Sequence, residues 1–277
     1  MSAMNVSNLT KEYLVKLFAE NKRFDGRKNF DLKDFQVEYG VSNKAEGSAR
    51  VKLGKTEVVV GIKLQTGEPY PDSPNAGNLM VSGDLLPLAS PRFESGPPKF
   101  DAIEMPRLID RMLRESGFID LKKLVIEEGK NVWTVIVDIY PINDDGALID
   151  AASIASVAAL RNAKFPGLHE NGKVDFDKKT EERLPLAEEV IPLSFTFFKL
   201  RDSIILHPTR EEEEACEAKV TFGVSYWKGQ YMVNSCQKGM KVPFTRDELE
   251  TISKMLPEKH EEIVKTLRTK LDENQKA

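Results

Sequence analysis

Residues 133–160 read WTVIVDIYPINDDGALIDAASIASVAAL, and this stretch decides the fold class. Its first part is rich in Val, Ile and aromatic residues, which predicts a strand over residues 133–140. The tetrapeptide NDDG at residues 143–146 is typical of a turn, and it precedes a predicted helix over residues 149–162. This predicted helix has alanine at positions 151, 152, 155, 158 and 159. Because these side chains are small, we expect the helix to pack closely against a sheet. A strand, a turn and a covering helix together indicate an α+β fold.

Shorter elements precede this stretch. The segments SARVKL and TEVVVGIKL flank Gly54 and Lys55, which predicts a tight hairpin over residues 48–64. Elsewhere, helical apolar spacing predicts helices, and alternating or continuous apolar runs predict strands. The predicted helices are residues 9–20 and 100–116, and the predicted strands are residues 35–41, 78–86 and 124–127.

The later part of the chain repeats this organisation. Residues 167–182 are polar and charged and indicate a loop. Thr245 and Glu248 have the spacing of a capping box that begins a C-terminal helix, which we expect Pro257 to kink or restart. Its apolar face consists of Leu249, Ile252, Leu256, Ile263, Leu267 and Leu271, and the strands predicted before it are residues 193–200, 203–206, 218–227 and 230–236.

Each part therefore has hairpin strands followed by a helix that can cover a sheet, which predicts a duplicated α+β unit. The predicted divisions are an N-terminal helical segment (1–22), a first lobe (23–166), a charged loop or linker (167–189) and a second lobe with the C-terminal helix (190–277).

The composition limits the kinds of partner. No run of eighteen apolar residues occurs, so we expect no membrane contact. Cys216 and Cys236 form no CxxC pattern and no secretory leader is visible, which favours a reduced, cytoplasmic protein. The formal net charge is −4, so a nucleic-acid contact would need a local basic patch or a partner's charge.

Common catalytic signatures are absent from the sequence. It has no GxGxxG, Walker A or HExxH pattern, and His169, His207 and His260 share no ligand spacing. We therefore expect no cofactor and no metal site.

Three stretches together resemble the RNase PH family. They are GSARVKLGKTEVVVG (47–61), EMPRLIDRMLRES (104–116) and the opening stretch 133–160, in that family's order and spacing. The segments NLMVSGDLLPLA (78–89), ESGPP (94–98) and KLVIEEGKNVWTV (123–135) are most similar to the archaeal exosome subunit of this family that lacks an active site.

The resemblance implies duplicated β-α-β units, with mixed sheets covered by helices. It also implies a hexameric ring of three heterodimers, in which this chain alternates with a catalytic RNase-PH-like subunit. Such a ring degrades single-stranded RNA from its 3′ end with inorganic phosphate, and RNA-binding cap subunits lie on one face.

The phosphate turn of the family departs from its pattern here. Where the family has an Asp-Gly-Gly-Thr-Arg type of turn, this chain has Asp145, Gly146 and then Ala147, with Leu148 or Ile149 at the arginine position. Asp150 is expected to add a negative charge where an anion should bind. Phosphate binding is therefore disfavoured.

The catalytic carboxylate is also missing. The family's acid aligns with Lys219, which cannot act as a carboxylic acid or bind magnesium. With the phosphate turn, this second loss predicts that the chain has no catalytic residue. Without the resemblance, Lys219 on an alternating strand indicates an ordinary solvent-facing lysine.

An arginine stripe remains on the helix at residues 100–116. Arg107, Arg111 and Arg114 lie opposite its apolar face and span about 11 Å at a rise of ~1.5 Å per residue. The resemblance assigns RNA contact to Arg107 and Arg111, whereas Arg114 is a weaker candidate. The alternative is a surface helix with ion pairs Arg107–Asp110, Asp110–Arg114 and Arg111–Glu115.

Two other functions stay open at this stage. The chain could be a phosphate-dependent 3′–5′ exoribonuclease in its own right, with Asp138, Asp144 and the acids within residues 211–217 around magnesium. It could also be an assembly module without RNA contact, building the ring through exposed strand edges.

Overall fold

The structure is a computed structural model that describes residues 6–169 and 172–275, without the side chains of Lys179 and residues 270–275. The helices are α1 (Asn8–Ala19), α2 (Phe100–Ser116), α3 (Leu148–Asn162), α4 (Arg210–Ala215) and α5 (Arg246–Gln275). The strands are β1 (Phe35–Tyr39), β2 (Gly47–Leu53), β3 (Thr56–Gly67), β4 (Asn78–Gly83), β5 (Val125–Glu127), β6 (Asn131–Asn143), β7 (Lys164–Leu168), β8 (Val174–Arg183), β9 (Leu193–Leu200), β10 (Ser203–Leu206), β11 (Ala218–Trp227) and β12 (Gln230–Met240).

The first sheet is mixed. Its strand order is β1-β2-β3-β6-β4, with β5 paired to β6, and β4 runs parallel to β6 while the other pairs are antiparallel. The predicted hairpin joins β2 to β3, and Gly54 at φ +60° supplies the left-handed residue of its turn. The second sheet is antiparallel in the order β10-β9-β11-β12. Mixed sheets with covering helices confirm the predicted fold class.

Helix α3 lies between the two sheets. It packs against β2 and β3 on one side and β9 on the other, and 12 of its 15 residues are buried. Because neither side is open to solvent, the small residues predicted from the alanine pattern are required along most of its length. One continuous hydrophobic core therefore runs through both sheets, with α3 at its centre.

The N-terminal helix packs against the second sheet. Leu14 and Phe18 of α1 join Phe198, Ile205 and Cys216 in a smaller core cluster. Arg23, which follows the helix, forms a fully buried ion pair with Glu212 of α4 and also donates to the carbonyl oxygens of Leu206 and His207. These contacts tie the start of the chain to the later lobe.

One local prediction is wrong. Residues 167–189 were expected to form a loop, but β8 (Val174–Arg183) pairs with β7 in a two-stranded ladder; residues 170 and 171 lie outside the described residues. The charged side chains of β8 are mostly exposed, so composition concealed the strand. Helix α5 begins with the expected capping box at Thr245 and Glu248 and continues through Pro257 without a restart. The side chain of Leu271, assigned to its apolar face, lies outside the described part.

Among the described residues, no helix is long and apolar enough to cross a membrane.

The close contact between β2 and α3 gives a stability prediction. A Cβ atom at Gly47 would lie 2.6 Å from the Ala159 carbonyl oxygen and 2.6 Å from Ala163 Cα, both backbone atoms. We expect Gly47→Ala to lower the free energy of unfolding by about 1–3 kcal/mol, because the helix and the sheet must move apart. Urea denaturation measures this change. Gly61→Ala is the matched control, since its Cβ atom would meet only Ala45 Cβ at 3.7 Å; equal destabilisation by both substitutions would contradict the packing argument.

Candidate functional site

A cavity of about 510 Å³ lies between α2, the start of α3 and the second sheet. We call it the central cavity. It is lined by the turn before α3 and by Lys219, the two places where the sequence departs from the pattern of the RNase PH family that it resembles. Its charged lining consists of Arg92, Asp101, Glu104, Arg210, Glu213, Glu214, Lys219 and Lys238.

The turn before α3 is built by two left-handed residues. Gly146 has φ +80° and Ala147 has φ +57°. A Cβ atom at Gly146 would lie 2.5 Å from the Pro208 carbonyl oxygen, so only glycine fits there. This close approach brings the segment before α4 directly against the start of α3.

A carboxylate of the chain itself binds the start of α3. The Ala147 N–H donates to Glu213 Oε1 at 2.8 Å. Free N–H groups at a helix N-terminus are the groups that hold a bound anion in phosphate sites. Here Glu213 supplies the negative charge, so an incoming phosphate would have to displace a side chain that is only 12% exposed.

The neighbouring arginines are already neutralised. Arg210 pairs with Glu213 at 2.9 Å and with Glu214 at 2.5 Å, while Arg92 pairs with buried Asp144 at 2.7 Å. Burial, together with the negative charge of Asp144, raises the pKa of Glu213 above its usual value. The network has three acids and two arginines, so both arginines are neutralised and the excess acid gives an added anion little attraction.

Asp150 does not lie where the sequence suggested. It was expected to face the anion position, but its side chain turns into the core and is completely buried. Thr196 of β9 donates to it from both its hydroxyl (2.8 Å) and its backbone N–H (3.2 Å). His207 Nε2 lies 3.7 Å from the same carboxyl group. Burial raises the pKa of Asp150 to about 7. The acid that accepts the hydrogen bond from the start of α3 is therefore Glu213 and not Asp150.

Lys219 is engaged with α2. Its Nζ lies 2.6 Å from Glu104 Oε2, and the exposed fractions of the two side chains are 19% and 7%. The interpretation of Lys219 as an ordinary solvent-facing lysine is therefore wrong. A lysine paired in this way neither donates a proton to a leaving oxygen nor binds a metal ion.

Of the acids in the magnesium hypothesis, Asp144, Glu213 and Glu214 share the network with Arg92 and Arg210, and the others have separate partners. Asp138 accepts a hydrogen bond from Ser82 on the first sheet, whereas Asp144 pairs with Arg92. Within residues 211–217, Glu212 is paired with Arg23 and Glu217 with Lys11. Across the ranges 6–169 and 172–275, no cluster of three or more His, Cys, Asp and Glu side chains has the arrangement of a metal site.

The arginine stripe borders a second groove, of about 630 Å³, between β4 and α2. We call it the arginine groove. Arg107 and Arg111 both line it and are exposed, and within the described part of the chain neither guanidinium has an ion pair or hydrogen bond. Arg114 instead pairs with Asp110 at 2.6 Å and donates to the Leu79 carbonyl oxygen at 2.9 Å. The surface-helix alternative thus describes Arg114 and leaves Arg107 and Arg111 free.

Sequence reasoning missed most of the central cavity. Arg92 and Arg210 belong to no motif, and Glu104 entered the analysis only as the first residue of the stretch 104–116. Arg92 and Glu104 meet their partners through the packing of distant segments, whereas Arg210 pairs within its own helix. Glu213 had one usable signal, since the run 211–214 begins two residues after Thr209, the N-cap of α4. That signal locates a helix start but does not show which acid reaches Ala147.

Family models match most of the chain. The model described as 3′ exoribonuclease family, domain 1, matches residues 31–166, and the model for domain 2 matches residues 191–255.

Individual proteins are similar along nearly the whole length. The exosome complex component Rrp42 of Methanosarcina mazei is 42% identical over 258 residues, covering 93% of each chain. That of Pyrococcus furiosus is 45% identical over 216 residues, 78% of each chain. A chain of the Archaeoglobus fulgidus exosome with RNA bound to the active site has a TM-score of 0.79 at 37% identity, covering 97% of this chain and 98% of the other. A chain of an archaeal exosome core has a TM-score of 0.82 at 34% identity, covering 94% and 97%.

Buried Asp150 gives a prediction about pH. Its carboxyl group keeps a proton up to about pH 7 in the folded chain but titrates near 3.8 when unfolded. Its contribution to stability is therefore fully present below about pH 4 and is lost as the pH rises to about 7. We expect the wild type to lose about 4 kcal/mol relative to Asp150→Asn over this range, at 1.36 kcal/mol per pKa unit.

Denaturant unfolding of both proteins at several pH values measures this difference. Asp202→Asn, at an exposed carboxyl group, is the control for the substitution itself. A stability difference between wild type and Asp150→Asn that stays constant from pH 4 to pH 7 would contradict the assignment.

Proposed function

Because this chain belongs to the RNase PH family of 3′ exoribonucleases, we propose that it is a non-catalytic subunit of an archaeal exosome. It would form a cytoplasmic hexameric ring of three heterodimers with a catalytic RNase-PH-like subunit. That ring would degrade single-stranded RNA from the 3′ end with inorganic phosphate, beneath RNA-binding cap subunits. The division into lobes at residues 23–166 and 190–277 belongs to the same proposal.

The contact between Glu213 and the start of α3 carries the non-catalytic part of the proposal. Phosphorolysis needs an anionic nucleophile held by N–H donors and cations. In this chain the Ala147 N–H and Arg210 are bound to Glu213, and Arg92 is bound to Asp144. Lys219, paired with Glu104, occupies the position of the family's catalytic carboxylate. The chain therefore offers neither a free anion-binding site nor a catalytic carboxylate, because the groups at both positions are paired within the chain.

The unpaired state of Arg107 and Arg111 supports the RNA contact. An exposed guanidinium without an acidic partner retains its full charge and its donors for a phosphate. Both side chains line one groove, so a single extended strand can reach them together. The ring would place this groove beside the partner's active site, where the two arginines hold the RNA backbone and the partner cleaves it.

An assembly module without RNA contact is the second candidate. The edge strand β12 favours it, because Tyr231, Met232 and Val233 are exposed on consecutive positions. Exposed apolar residues on an unpaired strand edge are typical of a surface that another chain covers. This surface is compatible with both functions, so the arginine variants decide between them.

The isolated chain is expected to have no phosphorolytic activity. We expect no phosphate-dependent release of nucleoside diphosphates from single-stranded RNA by the purified chain, because its anion position is filled by Glu213. Mixing it with a catalytic RNase-PH-like partner should give an active ring. The assay compares the chain alone, the partner alone and the mixture, with and without phosphate. Diphosphate release by the chain alone would instead support the enzyme alternative.

Reversing both arginines is expected to weaken RNA binding. In the assembled ring, Arg107→Glu with Arg111→Glu should raise the Kd for a single-stranded RNA at least about tenfold. The slope of log Kd against log salt should fall by about 1.4, because each phosphate contact on a single strand contributes about 0.7. Fluorescence anisotropy at several salt concentrations measures both quantities.

Arg246→Glu with Lys254→Glu is the matched control, since it reverses two charges on the exposed face of α5. If Kd and the salt slope of the Arg107 and Arg111 variant equal those of this control in an intact ring, the RNA contact is refuted and the assembly function remains.

A further inference from the structure

We propose that Lys219 is a positioning residue for RNA binding, acting through Glu104 to hold the part of α2 that carries Arg107 and Arg111. The inference rests on the RNA contact proposed above and extends it to the central cavity. Lys219, which aligns with the family's catalytic acid, would then have a positioning role in RNA binding.

The ion pair joins two different elements. Lys219 lies on β11, Glu104 lies in the first half of α2, and their charged atoms are 2.6 Å apart. Both side chains are largely buried, with exposed fractions of 19% and 7%. A pair shielded from water is strengthened and is little weakened by salt. The contact therefore acts as a fixed point between the second sheet and the helix.

The neighbouring strand leaves room for this lysine. Gly239 of β12 is the residue directly opposite Lys219 in the ladder. A Cβ atom at Gly239 would lie 2.6 Å from Lys219 Cε and 3.0 Å from its Cγ. Gly239 is not among the residues with positive φ, so space and not backbone conformation explains the glycine. The stem of Lys219 thus lies flat over Gly239 on its way to Glu104.

Glu104 depends on Lys219 for its charge balance. Its second oxygen, Oε1, is buried and has no hydrogen-bond partner among the described residues. Loss of the lysine would leave a buried, uncompensated carboxylate, which is unfavourable unless the group takes up a proton or moves toward water. A movement toward water displaces the helix segment that carries Glu104.

The first half of α2 has few other polar contacts, although Met105 and Leu108 are buried. Its N-cap, Lys99, makes no side-chain capping bond, and Pro106 inside the helix removes one backbone donor. Phe100 and Ile103 in the first turn are exposed, and the Asp101–Arg92 pair is longer, at 3.7 Å. Among the described residues, the ion pair between Glu104 and Lys219 is therefore the shortest polar contact that this half of the helix makes with the second sheet.

The two arginines follow Glu104 closely. Arg107 comes three residues later and Arg111 seven residues later, which corresponds to about 4.5 Å and about 10.5 Å along the helix axis. In a continuous helix these positions lie within about 60° of the same face. A shift or rotation at Glu104 is therefore transmitted to both guanidiniums, which must match the phosphate spacing of one strand.

Substitutions in the assembled ring test this inference. Lys219→Met keeps most of the length of the side chain and removes its charge, whereas Lys219→Glu with Glu104→Lys exchanges the two charges. Lys238→Met is the matched control, because Lys238 lines the same cavity and, among the described residues, its Nζ donates only to the Met240 carbonyl oxygen, at 2.6 Å. The RNA Kd, the KM and kcat for RNA phosphorolysis, and the hydrogen exchange of the α2 amides are measured for each ring.

Lys219→Met is expected to raise the Kd and the KM about tenfold, with kcat of the partner unchanged and faster exchange in the first half of α2. The charge exchange should restore affinity to within about threefold of wild type, and Lys238→Met should have no effect on affinity. If Lys219→Met prevents assembly, the variant with Lys219→Glu and Glu104→Lys decides. A ring of this variant that binds RNA with restored affinity supports the inference. A ring that forms but binds RNA weakly refutes it.

The results separate this inference from the proposed function. If the Arg107 and Arg111 variant weakens binding while Lys219→Met leaves it unchanged, only the role of Lys219 is refuted. If the arginine variant binds normally, the RNA contact fails and the inference fails with it. Equal weakening by Lys219→Met and Lys238→Met would also refute a specific role, because it would reflect general loss of positive charge in the cavity.

Discussion

The complete burial of α3 between two sheets is the constraint on which the rest of the structure depends. Because β2 and β3 cover one side and β9 the other, the helix can carry only small or closely fitting side chains over most of its length. Gly47 extends this requirement to the sheet, where a single methyl group would collide with the helix backbone. The burial also fixes where the helix begins, since its first residues must emerge at the junction of the two sheets.

The charged network of the central cavity lies at that junction. A helix N-terminus in a protein interior needs an acceptor for its free N–H groups. In this chain Glu213 provides the acceptor, and Arg210 and Arg92 are paired with acids of the same network. The arginines of this site are therefore bonded to acids of the chain, which outnumber them by one, and no free cation in the network is left for an added anion.

Helix α2 connects the central cavity to the arginine groove. Glu104 lines the cavity and meets Lys219, while Arg107 and Arg111 line the arginine groove. Arg114 shows the contrast, because its bonds to Asp110 and Leu79 bind it to the protein and remove it from the set of free cations. One helix therefore carries both charges that are paired within the protein and charges that are uncompensated. A chain with a net charge of −4 can have a local basic surface in this way.

The sequence by itself determined the fold class, nearly all helices and strands, and the candidate arginines, because these depend on local periodicity and on motif order. Residues 100–116 were predicted as a helix with the bounds that α2 has. The strand β8 was missed because its exposed, charged residues carry no apolar pattern. Only the tertiary structure decided the electrostatic partners. Asp150 and Glu213 are both acids near one turn, yet the first is buried against Thr196 and the second reaches Ala147. Lys219 and Glu104 are separated by 115 residues along the chain, and the packing of β11 on α2 brings their charges together. Pairing energies depend on distance and burial, and neither quantity is encoded in local sequence.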